Sequence, residues 1–170
     1  MIKILYSNET IANRVAELGK QISDDYLDKN LVVIVLLRGA FMFAADLVRH
    51  ISIDVCIDFM QVSSYSGTQS TGKIKLIKDI EQNIQDQHVL IIEDIVDTGI
   101  TLNAVYALLK QRQPASLEVC SFLDKPCKRT ISITVKYIGF SIPNHFVVGY
   151  GMDYNQCGRQ KPFIEILDEI

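Results

Sequence analysis

Glu93, Asp94 and Asp97 lie close together in the chain and are followed by Thr98, Gly99 and Thr101. Residues of these types at this spacing can handle a sugar phosphate. Neighbours on an extended segment point opposite ways, so Glu93 and Asp94 are free to serve different groups. Carboxylates accept hydrogen bonds from sugar hydroxyls, or hold a divalent cation that neutralises phosphate oxygens. Asp97 is then left as a proton acceptor. The turn offers hydroxyls and backbone N–H groups, and Gly99 lets the backbone close round an anion. A plainer reading has the acids as polar residues at a strand exit, with Asp97 or Thr98 capping a helix. The acid pair, the Asp-Thr-Gly-x-Thr turn and the flanking elements in one register favour chemistry.

Those flanking elements can be read directly. Val89-Leu90-Ile91-Ile92 is an apolar run of the kind that forms a strand buried on both faces. From Leu102 the pattern LNAVYALLKQ is helical, and a helix N-terminus turns its positive end towards an anion. Leu31 to Leu37 is a second doubly buried strand, closed by Arg38-Gly39 and followed by the helical AFMFAADLVRH. A cation and a glycine at a strand exit make a second anion site; in isolation Arg38 reads as a solvated strand end. Ile53 to Val62 alternates, with Asp54 and Asp58 on one face and Val55, Ile57 and Phe59 on the other. Ser64 to Lys73 is polar and glycine-containing, which fits either a hairpin loop or a lid that excludes water.

Leu117 to Leu123 gives another apolar strand, with Lys125 at its exit held extended by Pro126. Without further context, Lys125, Lys128 and Arg129 read as a solvated basic turn. Val135 to Ile142 and Phe146 to Tyr150 read as strands around Pro143-Asn144-His145, and Phe163 to Leu167 as a last strand. Near the start, Ile11, Val15, Leu18, Ile22 and Tyr26 share one helical face, with Ser7 or Asn8 as the cap.

A chain of 170 residues, 48% hydrophobic and 22% charged, suits one globular domain with a real core. A net charge of −3 argues against nucleic acid as the main partner, which calls for a basic face. No signal-peptide core and no membrane-length apolar run is present. Cys56, Cys120, Cys127 and Cys157 are scattered without a C-x-x-C pair, which points to free thiols in a reducing cytoplasm. His50, His88 and His145 have no spacing that suggests a triad or a metal site, and neither G-x-S-x-G nor a P-loop occurs.

The segment IIEDIVDTGITL resembles the phosphoribosyl-diphosphate (PRPP) binding motif of type I phosphoribosyltransferases, in the form found in hypoxanthine-guanine phosphoribosyltransferases. RVAELGKQISDDY resembles the first helix of the bacterial enzymes, and FVVGYGMDY follows the family closely. The resemblance implies an α/β fold with a mostly parallel central sheet flanked by helices. Residues 1–170 would form a single domain, with a small hood made from the N-terminal strand and roughly residues 135–170. It implies purine salvage: transfer of 5-phosphoribosyl from PRPP to N9 of hypoxanthine or guanine, giving IMP or GMP and pyrophosphate.

Site roles follow from the same resemblance. Asp97 is the general base. Glu93 and Asp94 hold the ribose hydroxyls and Mg2+, while Asp97, Thr98, Gly99, Ile100 and Thr101 cradle the 5′-phosphate. Arg38, Gly39, Ser64, Tyr65 and Arg159 contact pyrophosphate, the bond before the basic residue at position 38 is often cis, and Ser70-Thr71-Gly72 belongs to a catalytic lid. Lys125 donates to the 6-oxo group, Phe146 stacks on the purine and the Val147 backbone bonds its edge. Asp153 contacts a magnesium-bound water. Two departures stand out: Arg38 replaces a common lysine, and Gln156-Cys157-Gly158 replaces a segment in which an aromatic residue commonly precedes the arginine. The implied partners are PRPP, a 6-oxopurine and further copies of the chain, as a homodimer or homotetramer, with neither nucleic acid nor membrane. Two other readings share the centre: an enzyme preferring xanthine, and a non-catalytic nucleotide-sensing regulator of the same fold. A receiver-type phosphoacceptor would need an acid pair after its first strand, where Leu5-Tyr6-Ser7 stands.

Overall fold

The computed structural model describes residues 3–64 and 74–167. In chain order the elements are β1 (Lys3–Tyr6), α1 (Asn8–Asp25), β2 (Leu31–Leu37), α2 (Phe41–Arg49), β3 (Val55–Ser64) and β4 (Ile74–Lys78). There follow β5 (His88–Val96), α3 (Ile100–Lys110), β6 (Ser116–Asp124), a 3-10 turn at Pro126–Lys128, β7 (Tyr137–Ser141), β8 (Phe146–Val148) and β9 (Ile164–Leu167).

Alternation along the apolar runs sets the layering. On β2 and β5, Val33, Val35, Leu90 and Ile92 face one core with α1 and α2. Val32, Ile34, Leu36, Val89 and Ile91 face a second core with α3. Each strand is therefore apolar on both sides, which is why its sequence reads as an unbroken run. The main sheet has the order β4-β3-β2-β5-β6-β7 and is parallel apart from β4. Ser7 caps α1 by accepting from the Thr10 N–H, and Ile11, Val15, Leu18, Ile22 and Tyr26 are buried as their spacing predicts.

Two expectations need correction. β5 does not end at Ile92. It pairs with β2 as far as Ile92 but with β6 as far as Val96, so Glu93 and Asp94 lie inside a strand that has lost one neighbour. The region 135–145, expected in the hood, instead closes the main sheet, because β7 pairs parallel with β6. The hood sheet is β1-β9-β8, antiparallel, and holds Phe146 and Val147. On β3 the apolar face is the exposed one: Ile57 and Phe59 are 42% and 40% exposed, while Asp58 is buried. Asp58 earns its burial by accepting from the N–H groups of Phe59, Glu81 and Gln82 at 2.6 to 2.8 Å.

Candidate active site

The parallel strands β2, β5 and β6 all end on one side of the sheet, and the predicted residues collect there. Two cavities meet at this edge. The first, ≈ 110 Å³, is lined by Glu93, Val96, Asp97, Thr98, Gly99 and Thr101. The second, ≈ 200 Å³, is lined by Asp94, Asp97, Lys125, Phe146, Val147 and Asp153, with Ile95 and Met152. Glu93 and Asp94 thus open into different cavities, as alternation along β5 requires. Asp97 borders both.

The first cavity is the mouth of α3. Gly99 starts the helix with φ +82°, a left-handed conformation natural to glycine, and a Cβ there would come 2.8 Å from the Ile131 carbonyl. Thr98 Oγ1 accepts from the Ile100 N–H at 3.3 Å. Backbone donors, threonine hydroxyls and the helix dipole converge here as an anion cup.

Glu93 and Asp94 form a tight acidic pair. Burial and then the neighbouring Asp94 charge push the Glu93 carboxyl well above the usual carboxylate range. Burial raises Asp94 as well, against hydrogen bonds from Glu93 and the Ile95 N–H. Two neighbouring buried carboxylates would be relieved by a cation or by hydrogen bonds from sugar hydroxyls. Among the described residues no group of three or more His, Cys, Asp or Glu encloses a metal site. The donor set suits an ion held by one or two carboxylates and completed by substrate and water, as magnesium is.

Beside Asp94 lies the turn after β2. The Leu37–Arg38 peptide bond is cis. A Cβ at Gly39 would sit 1.5 Å from Asp94 Oδ2, and one at Gly151 would sit 2.0 Å from the Gly39 carbonyl oxygen. The turn is therefore wedged between the acid pair and the 149–152 segment, and the absence of a side chain at residue 39 is a steric requirement. Arg38 Nη1 and Arg159 Nη2 both approach Gln156 Oε1, at 3.4 and 3.5 Å. Arg159 is also held by Asp153 at 2.7 Å and by the Gly151 carbonyl at 2.8 Å. The altered Gln156-Cys157-Gly158 segment thus still brings Arg159 alongside Arg38. Asp153 is engaged by this arginine and by the Gln156 N–H at 2.8 Å.

In the second cavity, Lys125 is only 7% exposed and its Nζ lies 3.2 Å from Asp97 Oδ1. It is no solvated turn residue. Phe146 is 54% exposed and packs edge-on against Tyr154, with ring centroids 5.8 Å apart. An exposed aromatic face beside a buried cation suits a flat polar ring. Ser64 ends β3, while Tyr65 and the Ser70-Thr71-Gly72 segment lie outside the described residues.

Arg129 escaped the sequence reading because its basic neighbours suggested solvent. Its guanidinium instead pairs with Asp124 and donates to the Asp97 carbonyl at 3.0 Å. Only the nearby acid in DKPCKR hinted at that.

Residues 1–155 match the model of the phosphoribosyl transferase domain. The hypoxanthine phosphoribosyltransferase of Escherichia coli (strain K12) is 45% identical, over 99% of this chain and 98% of its own length. The hypoxanthine-guanine phosphoribosyltransferase of a Staphylococcus epidermidis strain is 47% identical, over 96% and 92%. The crystal structure of a hypoxanthine-guanine phosphoribosyltransferase from Bacillus anthracis superposes with a TM-score of 0.95 at 45% identity, covering 99% of this chain and all of that one. The fold, the motif at the end of β5 and these likenesses over the full length agree: the chain belongs to the phosphoribosyl transferase domain family.

Proposed function

We propose that this protein transfers the 5-phosphoribosyl group of PRPP to N9 of hypoxanthine or guanine. The products are IMP or GMP and pyrophosphate, and the role is purine salvage. One observation carries the reading: Asp97 sits between an anion cup at the start of α3 and a cleft walled by Lys125 and Phe146.

The chemistry follows from that placement. Thr98 to Thr101 bind the 5′-phosphate, with Ile100 contributing backbone, and Glu93 and Asp94 hold the ribose. The purine lies against Phe146, its edge on the Val147 backbone, and Lys125 donates to its 6-oxo group. Adenine carries a donor at that position and would leave the ammonium unpaired. The N9–C1′ bond forms as the C1′–oxygen bond to pyrophosphate breaks, and the N7 proton passes to Asp97. In the free protein Lys125 is bonded to Asp97; turning to the purine oxygen, it releases that carboxylate as the acceptor. Arg38, the Gly39 N–H and Arg159 receive the leaving pyrophosphate, and Ser64 and Tyr65 are assigned to the same group. Glu93 and Asp94 would hold Mg2+, with Asp153 nearby, and the ion would supply positive charge to the leaving group. Turnover measured with PRPP, magnesium and each purine in turn tests the assignment. Activity with adenine alone would overturn the role of Lys125, a clear preference for xanthine would move the acceptor, and none with any base would overturn the enzyme.

We further propose a homodimer or homotetramer in the cytoplasm. The outward apolar side chains of Ile57 and Phe59, and of Phe41 on α2, support a self-association surface. Among the described residues no helix is long and apolar enough to cross a membrane. Light scattering of the purified protein, with Phe59→Lys as control, tests the assembly; a monomer at micromolar concentration removes it.

A further inference from the structure

Arg129 makes more contacts with the backbone around Asp97 than an ordinary ion pair requires. Its Nε donates to the Asp97 carbonyl at 3.0 Å. Nη1 reaches the Ile133 carbonyl at 3.4 Å, and Nη2 reaches the Val96 carbonyl at 3.5 Å as well as the Asp124 carboxylate. The next two residues continue the grip: the Thr130 and Ile131 N–H groups donate to the Thr98 carbonyl at 3.0 and 3.1 Å. Val96, Asp97 and Thr98 are thus held by consecutive carbonyls. The same segment packs on Gly99, whose Cβ position lies 3.0 Å from Arg129 Cδ.

The charges divide into two separate pairs. Buried Asp124 takes the charge of Arg129, and Lys125 takes that of Asp97. Arg129 bonds the Asp97 carbonyl and leaves its carboxylate to Lys125, so it acts on that residue through position. A planar fork with five donors can serve three carbonyls and one acid together, which a lysine ammonium cannot do from one point.

We infer that Arg129 is a positioning residue for the reaction. It fixes the Asp97 backbone, so that the proton-accepting carboxylate and the N–H groups of the phosphate cup keep one mutual geometry. This rests on the function proposed above. A purely structural Arg129 would affect folding alone. A positioning Arg129 affects both ends of the turn it holds.

The test uses Arg129→Lys and Arg129→Ala in the full chain. Arg129→Lys keeps the charge for Asp124 and is expected to remain folded. Its kcat should fall on the order of 10²-fold, the scale of a small misplacement of reacting groups. KM for PRPP should rise while KM for the purine stays within about twofold. Added guanidinium should restore part of the kcat of Arg129→Ala without changing its folded fraction. Amide hydrogen exchange across 93–101 should quicken in both variants. Arg129→Lys with unchanged kcat, unchanged KM for PRPP and unchanged exchange would overturn the inference. So would a loss in Arg129→Ala that matches its unfolded fraction and resists guanidinium. If the unaltered protein transfers no phosphoribosyl group, the parent reading fails, and the exchange measurement still decides whether Arg129 holds the turn.

Discussion

Lys125 Nζ lies 3.2 Å from Asp97 Oδ1, with the lysine buried and the aspartate side chain half exposed. On the roles proposed above, the cation for the purine and the base that deprotonates it begin as partners. Asp97→Asn should lower kcat by ~10² to 10⁴ with little change in either KM. Stopped assays over a range of PRPP and purine separate the two effects. A rise in KM alone would assign Asp97 to binding.

Lys125→Met removes a charged donor from a desolvated site. Such hydrogen bonds are worth about 1.5–3 kcal/mol, so KM for hypoxanthine should rise roughly 10- to 100-fold. The preference over adenine should shrink by the same factor in competition assays. An unchanged preference would move base recognition elsewhere.

Gly39→Ala places a carbon where Asp94 Oδ2 now stands. The acid must move, and a displacement of that size near reacting groups costs on the order of 10² in rate. The loss should appear in kcat/KM for PRPP and in the magnesium concentration needed for half-maximal rate. Melting should shift less than for a core truncation, because the turn lies at the cavity edge. Wild-type magnesium dependence would show that the acid pair is not the ion's anchor.

Phe146→Ala should weaken purine binding by about 1–3 kcal/mol, the usual worth of base–aromatic stacking. Because the ring is 54% exposed, unfolding free energy should change by under about 1 kcal/mol. A large destabilisation with unchanged purine KM would make Phe146 a packing residue.

Asp58 and Asp79 predict an acid limb in stability. Burial alone raises Asp58, yet the N–H groups of Gln82, Phe59 and Glu81 together outweigh it and leave its pKa below the ordinary 3.8. The Arg112 hydrogen bonds lower Asp79. A depressed folded pKa gives stability that is complete above the ordinary value and lost as pH falls through the folded one. Resistance to urea should therefore fall as pH drops below about 4. Asp58→Asn should flatten that slope, and an equal slope would remove Asp58 from the account.

Much of this was legible because strong local signals agreed. The β2 and β5 runs, the helical face ending at Tyr26 and the turn at Gly99 each have a period or residue type that admits few structures. The extent of β5 was not legible. Glu93 to Val96 stay extended because β6 continues beside them, and a partner strand leaves no mark on the sequence. The placement of β7 failed for the same reason, since an edge strand of the main sheet and a hood strand read alike. The burial of Asp58 was not legible, because two of the three N–H groups that satisfy it come from residues 81 and 82, far along the chain. Arg129 was hidden by composition: a run of basic residues reads as solvated, although one of them points inward.

Among the described residues, the pairing of Lys3 with Ile166 makes the hood the most sequence-distant assembly. During synthesis β1 must wait unpartnered until β9 has been translated. A nascent chain can form the turn at Gly99 well before Phe146 and Val147 have their hood sheet. Competence should therefore arrive abruptly, with the last strand.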